Sequence, residues 1–383
     1  MMELSKATIE IFSKLEQQWL SHCDSACRKT RILCIDGGGT TADCAGASLV
    51  HLEQQIRLCV GDASARIVDF FDIVAGSGVG AIIAAMLVAD DGSGRPLFSA
   101  CEAVSFLSAK AGELFRRKAL FRVRSRHFSG KSMEKVLKEA FTKKDGKVMT
   151  LRDTIKPLLV PCYDLKSSAP FMFSKTDAVE SSSFDFELWK VCRATTAAPG
   201  MFRPFDFTSV EGKTSCSAIG GGIVMNNPAA AAVTHVLHNK RDFPSVSSVD
   251  DLLVLSLGNG PSRIGNSLSS TSDVVGIASD GVSEAVDQML GNAFCWNPTD
   301  YIRIQVNGSA SEGRLDKGNN GERVLRERGV ETLPFGGKKL LIESNGDRIT
   351  KFVERLLLPG KSSMPPSPCK NAFLTISSIA DGR

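Results

Sequence analysis

The sequence predicts an α/β protein built on a mostly parallel sheet with helices on both faces. Three observations carry that expectation. Apolar runs of strand length alternate with segments of helical period along most of the chain. Two of those runs end in glycine-rich turns that lead into helix patterns, Gly37-Gly38-Gly39 and Gly76-Ser77-Gly78-Val79-Gly80. The 383 residues, 43% hydrophobic and 23% charged, have a globular composition and enough length for a large core.

The elements follow in order. Leu4, Ile11, Phe12, Leu15 and Trp19 fall at helical spacing, which predicts an amphipathic helix within residues 1–30. Arg31–Asp36 reads as a buried strand and Ala47–Ile56 as a helix; Phe71–Ala75 and Ala81–Leu87 repeat that pair. Asp90–Pro96 is a loop by its Gly, Asp and Pro content. Helices are predicted at about 101–115, 131–142 and 184–197, near Val282–Phe294, and near Asp347–Leu358. Strands are predicted at Pro157–Tyr163, Pro170–Ser174, Leu252–Leu257 and Tyr301–Val306. Ser262–Ser272 reads as a surface loop, and Gly360–Lys370 begins a disordered tail. The domain boundaries expected are an N-terminal helix and linker at 1–30, the main domain at 31–360 and the tail at 361–383.

Composition narrows the function classes. No apolar run reaches the ~18 residues of a membrane span. The start, Met1-Met2-Glu3-Leu4-Ser5-Lys6, lacks a charged-then-apolar signal pattern, so a cytoplasmic rather than a secreted chain is expected. The eleven cysteines show no metal-ligand spacing and read as reduced thiols. No metal and no cofactor is expected. The net charge of +4 hides a basic stretch: Arg116 to Lys147 holds twelve Lys/Arg against three acidic residues. Within it Arg116, Arg117, Lys118, Arg122 and Arg124 interleave with apolar residues, a pattern suited to an anionic lipid surface or to a solvated basic face. No nucleic-acid-binding module is visible.

The glycine turns admit three readings. As a dinucleotide fold, Gly76-Ser77-Gly78-Val79-Gly80-Ala81 fits the fingerprint, but the acidic residue expected about 20 positions on falls in a loop. As an actin-fold kinase, Asp36-Gly37-Gly38-Gly39-Thr40-Thr41 fits the phosphate loop, but helical period follows it where a hairpin strand is needed. As an acyl hydrolase, three signals appear in the required order. Gly37, Gly38 and Gly39 form an anion nest for an oxyanion. Residues 76–80 form a strand–turn–helix elbow. Gly220-Gly221-Gly222 with Asn226-Asn227-Pro228 forms a third turn.

With Arg193-Ala194-Thr195-Thr196-Ala197-Ala198-Pro199 and Ser256-Leu257-Gly258-Asn259-Gly260, these motifs resemble the patatin family, and within it the plant group III patatin-related phospholipases. The resemblance covers about residues 30–360. It implies a three-layer α/β/α sandwich, lipid acyl hydrolase ancestry of the phospholipase A or galactolipase type, and membrane phospholipids or galactolipids as peripheral partners. It also implies a Ser–Asp dyad, and here the serine falls on Gly78 and the aspartate on Gly220. The arginine expected after the nest falls on Thr41. Both reacting groups are missing, so activity by that route is expected to be very weak or zero. Ser77 is the nearest substitute hydroxyl. Strand alternation turns it away from the nest, and the carboxylates Asp206 and Glu211 are not placed by motif to serve as its base. A pseudoenzyme that binds lipid or a protein partner is the other reading.

Overall fold

In the computed structural model, residue 14 and residues 29–38, 43–120, 123–260, 271–306, 320–333 and 337–358 are described. The chain separates into Thr30–Leu356 and a second unit made of Met1–Lys29 with Leu357–Arg383. Lys14 is helical. The rest of the expected N-terminal helix, most of the expected loop at 262–272 and the tail from 360 lie outside the described residues.

Strand β1 (Thr30–Ile35) buries Ile32, Leu33, Cys34 and Ile35 completely, and β9 (Leu252–Leu257) is buried at every position. Strands with successive residues buried need cover on both faces, which is the condition of a parallel sheet in an α/β protein. β1 pairs in parallel with β9 and with β2 (Ile73–Gly76). β10 (Tyr301–Ile304) extends the parallel part beyond β9, and β5 (Leu158–Asp164) extends it beyond β2. The other edge is antiparallel: β8 (Ser215–Gly220) pairs β5, β7 (Phe205–Thr208) pairs β8, and β6 (Ala169–Ser174) also pairs β5. The order is β10-β9-β1-β2-β5-β8-β7, eight strands with β6. Because β8 runs against β5, its C-terminal end returns to the level of Cys162 on β5.

Helices cover both faces. α1 (Asp43–Val60), α2 (Gly78–Val88), α3 (Ala100–Leu114) and α4 (Gly130–Ala140) follow the first two strands. After α5 (Lys175–Glu180) comes α6 (Leu188–Thr195), which packs on α2 and α4. α7 (Gly222–Met225) is one turn, and α8 (Ala229–His238) lies on β1, β2 and β9. α9 (Thr271–Ala293) joins α8 over the same face, in a core that holds Ile32, Cys34, Ile73, Val254, Val233 and Leu290. Alternate residues of β1 therefore face opposite layers. α10 (Asn320–Arg326) packs on α1, and α11 (Asn345–Leu357) closes the described part. This is the expected mixed α/β architecture with a mostly parallel sheet.

Several elements differ from expectation. The helix placed at 184–197 begins at Leu188, after a 3₁₀ turn at Ser182–Phe184. The helix placed near 282–294 runs from Thr271; Gly276 and Gly281 break the apolar period of its first half. The basic stretch forms a hairpin, β3 (Arg117–Leu120) with β4 (Val123–Phe128). A second hairpin, β11 (Arg328–Leu333) with β12 (Gly337–Ser344), was not signalled. β1 and β2 are parallel and α1 lies between them, which removes the hairpin that a kinase phosphate loop requires.

Candidate active site

The three glycine turns meet at the C-terminal ends of β1 and β2. Asp36 continues β1 through its amide to Leu257 O (2.9 Å), and Gly37 then donates to Asn226 O at 3.0 Å. The Gly37 amide is thus already committed to a carbonyl. Gly38 sits at φ +123, and its carbonyl accepts from Asn259 Nδ2 at 3.2 Å. Residues 39–42, including Gly39 and Thr41, are outside the described residues.

The elbow keeps its turn. Ser77 is extended (φ −121, ψ 147), and Gly78 opens α2 in the left-handed region at φ +51. A Cβ on Gly78 would stand 3.4 Å from Gly37 Cα and 3.9 Å from Gly38 N, ordinary contact distances. A side chain at 78 therefore has room and would face the glycine turn. The flanking glycines are forced by close approach: a Cβ on Gly76 would lie 2.6 Å from Ala81 Cα, and one on Gly80 would collide with the Asp36 carbonyl.

The third turn is different. A Cβ on Gly220 would lie 2.9 Å from Ala198 N, 3.0 Å from Ala198 Cα and 3.1 Å from Thr195 O, all backbone atoms. The Gly220 and Gly221 amides donate to Ala197 O (2.9 Å) and Thr195 O (3.1 Å). The segment after α6 thus fills the place where a side chain would start. The same helix supports the elbow, since Gly78 N donates to Thr195 Oγ1 at 3.0 Å.

A strand-end glycine turn, an elbow and a third turn on one end of a doubly covered sheet now stand together. The family profile of patatin-like phospholipases matches residues 33–233. The chain belongs to the patatin-like phospholipase family. It is 64% identical, over all of both chains, to the "Probable inactive patatin-like protein 9" of Arabidopsis thaliana. It is 39% identical to the Arabidopsis "Patatin-like protein 7", over 93% of this chain and 81% of that one. It is 37% identical to "Patatin-like protein 3" of Oryza sativa subsp. japonica, over 92% of this chain and 90% of that one.

This patatin-like protein has a degenerate lipid acyl hydrolase site, and among the described residues no nearby group replaces the lost pair. Ser77 is fully buried, and its hydroxyl has no hydrogen-bond partner, so no base activates it. Asp206 is exposed on β7, and Glu211 pairs with Lys213 at 2.7 Å in the next turn. His51 on α1 and His235 on α8 are held below the usual imidazole range by burial, and His235 contacts Asn239 and Phe243. Among the described residues, no group of three or more His, Cys, Asp or Glu is placed to hold a metal.

Sequence reasoning missed a polar network beneath the first turn. Arg303 on β10 grips Asp36 with two bonds, Nη1–Oδ1 at 2.8 Å and Nη2–Oδ2 at 2.6 Å, both residues being buried. Arg303 also donates to Ser256 Oγ (2.8 Å), which reaches Asn227 Oδ1 (3.3 Å). Asn226 donates to Ser283 Oγ at 2.9 Å. Burial works against the charge on both partners; it raises Asp36, while for Arg303 the adjacent Asp36 outweighs it and the guanidinium is raised. The two-bond geometry is that of an ionised pair. An arginine at an inward position of the apolar strand Tyr301–Ile304 was the available signal.

The basic residues lie elsewhere. Arg116 and Arg117 are exposed at the base of the β3–β4 hairpin, with the Arg117 guanidinium 5.8 Å from the Phe128 ring centre. Phe128 packs with Phe115 and Phe202 and anchors the hairpin to the segment after α6. Lys118 and Arg124 belong to the two strands, and Arg122 is outside the described residues.

Proposed function

We propose that this patatin-like protein binds membrane phospholipid or galactolipid peripherally, from the cytoplasm, and does not cleave it. One observation carries the reading: backbone atoms of Ala198 and Thr195 occupy the space in which the Asp of the dyad would begin. Losing a nucleophile and its base costs a hydrolase several orders of magnitude in rate. Here the second loss is built into the packing as well as into the composition. The basic hairpin supports attachment to an anionic surface, where each base contributes about 1 kcal/mol within a Debye length.

The test pairs an activity assay with a binding assay. Purified protein is incubated with phosphatidylcholine and with a galactolipid, alongside Ser77→Ala, and probed with a fluorophosphonate. No fatty acid release above blank and no label is expected. Liposome co-sedimentation is expected to fall with salt and with charge reversal at Arg116, Arg117 and Lys118. Robust turnover that disappears in Ser77→Ala would establish a hydrolase with a non-standard nucleophile instead.

A further inference from the structure

The degenerate site holds backbone donors with nothing to donate to. Val79 and Gly80 open α2 behind Gly78, and four residues back from them stands β2, so helix geometry gives their amides no acceptor. Both residues are buried, Val79 at 4% exposure. The Gly38 amide comes from a different loop, and its nitrogen lies 3.9 Å from the place of a Gly78 Cβ. Among the described residues none of these three amides has a hydrogen-bond acceptor. Their neighbours are all committed: Gly37 donates to Asn226 O, Ser77 to Ile35 O, Gly78 to Thr195 Oγ1 and Ala81 to Ser77 O. Buried amides in folded proteins are almost all paired, so open ones from two separate elements mark an acceptor position that the chain itself does not fill.

The charge balance has changed with the dyad. Its aspartate falls on Gly220, and Asp36, the acid next to the first turn, is held by two bonds from Arg303. A working dyad carries a carboxylate that repels the carboxylate product of ester cleavage. Without it, the partial positive charge at the start of α2 and the open amides favour an anion. Gly78 leaves room for one, since a Cβ there meets only Gly37 Cα at 3.4 Å and Gly38 N at 3.9 Å. A carboxylate oxygen can take the place of the missing serine hydroxyl, and each such oxygen accepts more than one amide. The family is one of phospholipases, so the ligands to consider are lipids. A lipid that ends in a bare carboxylate is a free fatty acid.

We propose that the glycine turns bind a free long-chain fatty acid by its carboxylate, on the amides of Gly38, Val79 and Gly80. This rests on the reading given above that the site does not cleave lipid, and adds that the group retained there is an anion and not an ester. No bond is made or broken.

Ultrafiltration of the full chain with radiolabelled oleate and with radiolabelled methyl oleate, each below its aggregation concentration, tests the site. Saturable oleate binding is expected, at least about tenfold tighter than that of the uncharged ester. Gly78→Ser fills the carboxylate position with a hydroxymethyl group and is expected to weaken oleate binding at least about tenfold. If Gly78→Ser does not fold, Gly78→Ala is read in its place, and the acid-to-ester ratio in the unaltered protein needs no variant. Absence of oleate binding, equal binding of acid and ester, or undiminished oleate binding in the folded variant overturns the proposal. The two readings fail separately. Fatty acid release in the hydrolysis assay removes the earlier one. Silent hydrolysis and intact vesicle binding, with acid and ester bound alike, remove this one alone.

Discussion

The backbone amide of Gly78 donates to the hydroxyl of Thr195 at 3.0 Å, so the residue at the old nucleophile position is held by the helix whose end closes the old base position. Removing that acceptor leaves a half-buried amide without its partner, at a cost of about 1 kcal/mol. Thr195→Val, close in shape, is expected to lose that much in urea denaturation, and Thr195→Ser is expected to retain most of the stability. Equal losses in the two variants would mean that the hydroxyl does not support the turn.

Gly78→Ser tests the open side of the site. The Cβ has room, but φ +51 disfavours an L residue by about 1–2 kcal/mol. We expect a soluble, folded protein with a melting point lowered accordingly. With no base present, fluorophosphonate labelling and lipid hydrolysis are expected to stay at blank levels.

Gly220→Asp tests the closed side. Its Cβ meets backbone nitrogen and carbon at 2.9 and 3.0 Å, and its carboxylate starts out buried. The loss is expected to exceed that of Gly78→Ser, at about 3 kcal/mol or more, because backbone cannot rotate aside as a side chain can. The double variant Gly78→Ser/Gly220→Asp is expected to remain inactive. The two effects should not add, since both positions contact Thr195.

The Asp36–Arg303 pair predicts a third asymmetry. Arg303→Met strands a buried carboxylate and is expected to cost about 3–5 kcal/mol. Asp36→Leu/Arg303→Met, which removes both charges, is expected to recover part of that. A double variant no more stable than Arg303→Met would show that packing alone sets the cost.

Asp164 supplies the acid limb of the stability profile. Burial tends to raise its carboxyl, but the amides of Ser217 (2.8 Å) and Ser167 (2.9 Å) outweigh it and hold the carboxyl at about 2. A group depressed in the folded state adds stability above its unfolded value, near pH 4, and that stability is lost as pH falls toward 2. Asp164→Asn should flatten this limb in pH-dependent denaturation. An unchanged slope would assign the acid sensitivity to other groups.

Much of the architecture was legible because buried parallel strands leave continuous apolar runs. Leu252–Leu257 and Arg31–Ile35 could be read without any tertiary information. The β3–β4 hairpin could not, because its strands carry arginines in place of an apolar face. β7 and β8 were hidden by polar residues such as Asp206 and Ser217 on their accessible sides. At the site, the missing serine and aspartate were visible at once in Gly78 and Gly220. The closure of the second position was not, since it depends on the backbone of Ala198. The Asp36–Arg303 contact spans 267 positions, a separation that no local pattern reports.

The unequal fit of the two empty positions makes the route back to chemistry directional. An incoming serine finds its berth vacant; an incoming aspartate must first push a length of main chain aside. A route back through these two positions therefore stalls at the aspartate, whichever substitution comes first, unless the Thr195–Ala198 segment retreats beforehand. That stretch of chain works as a latch.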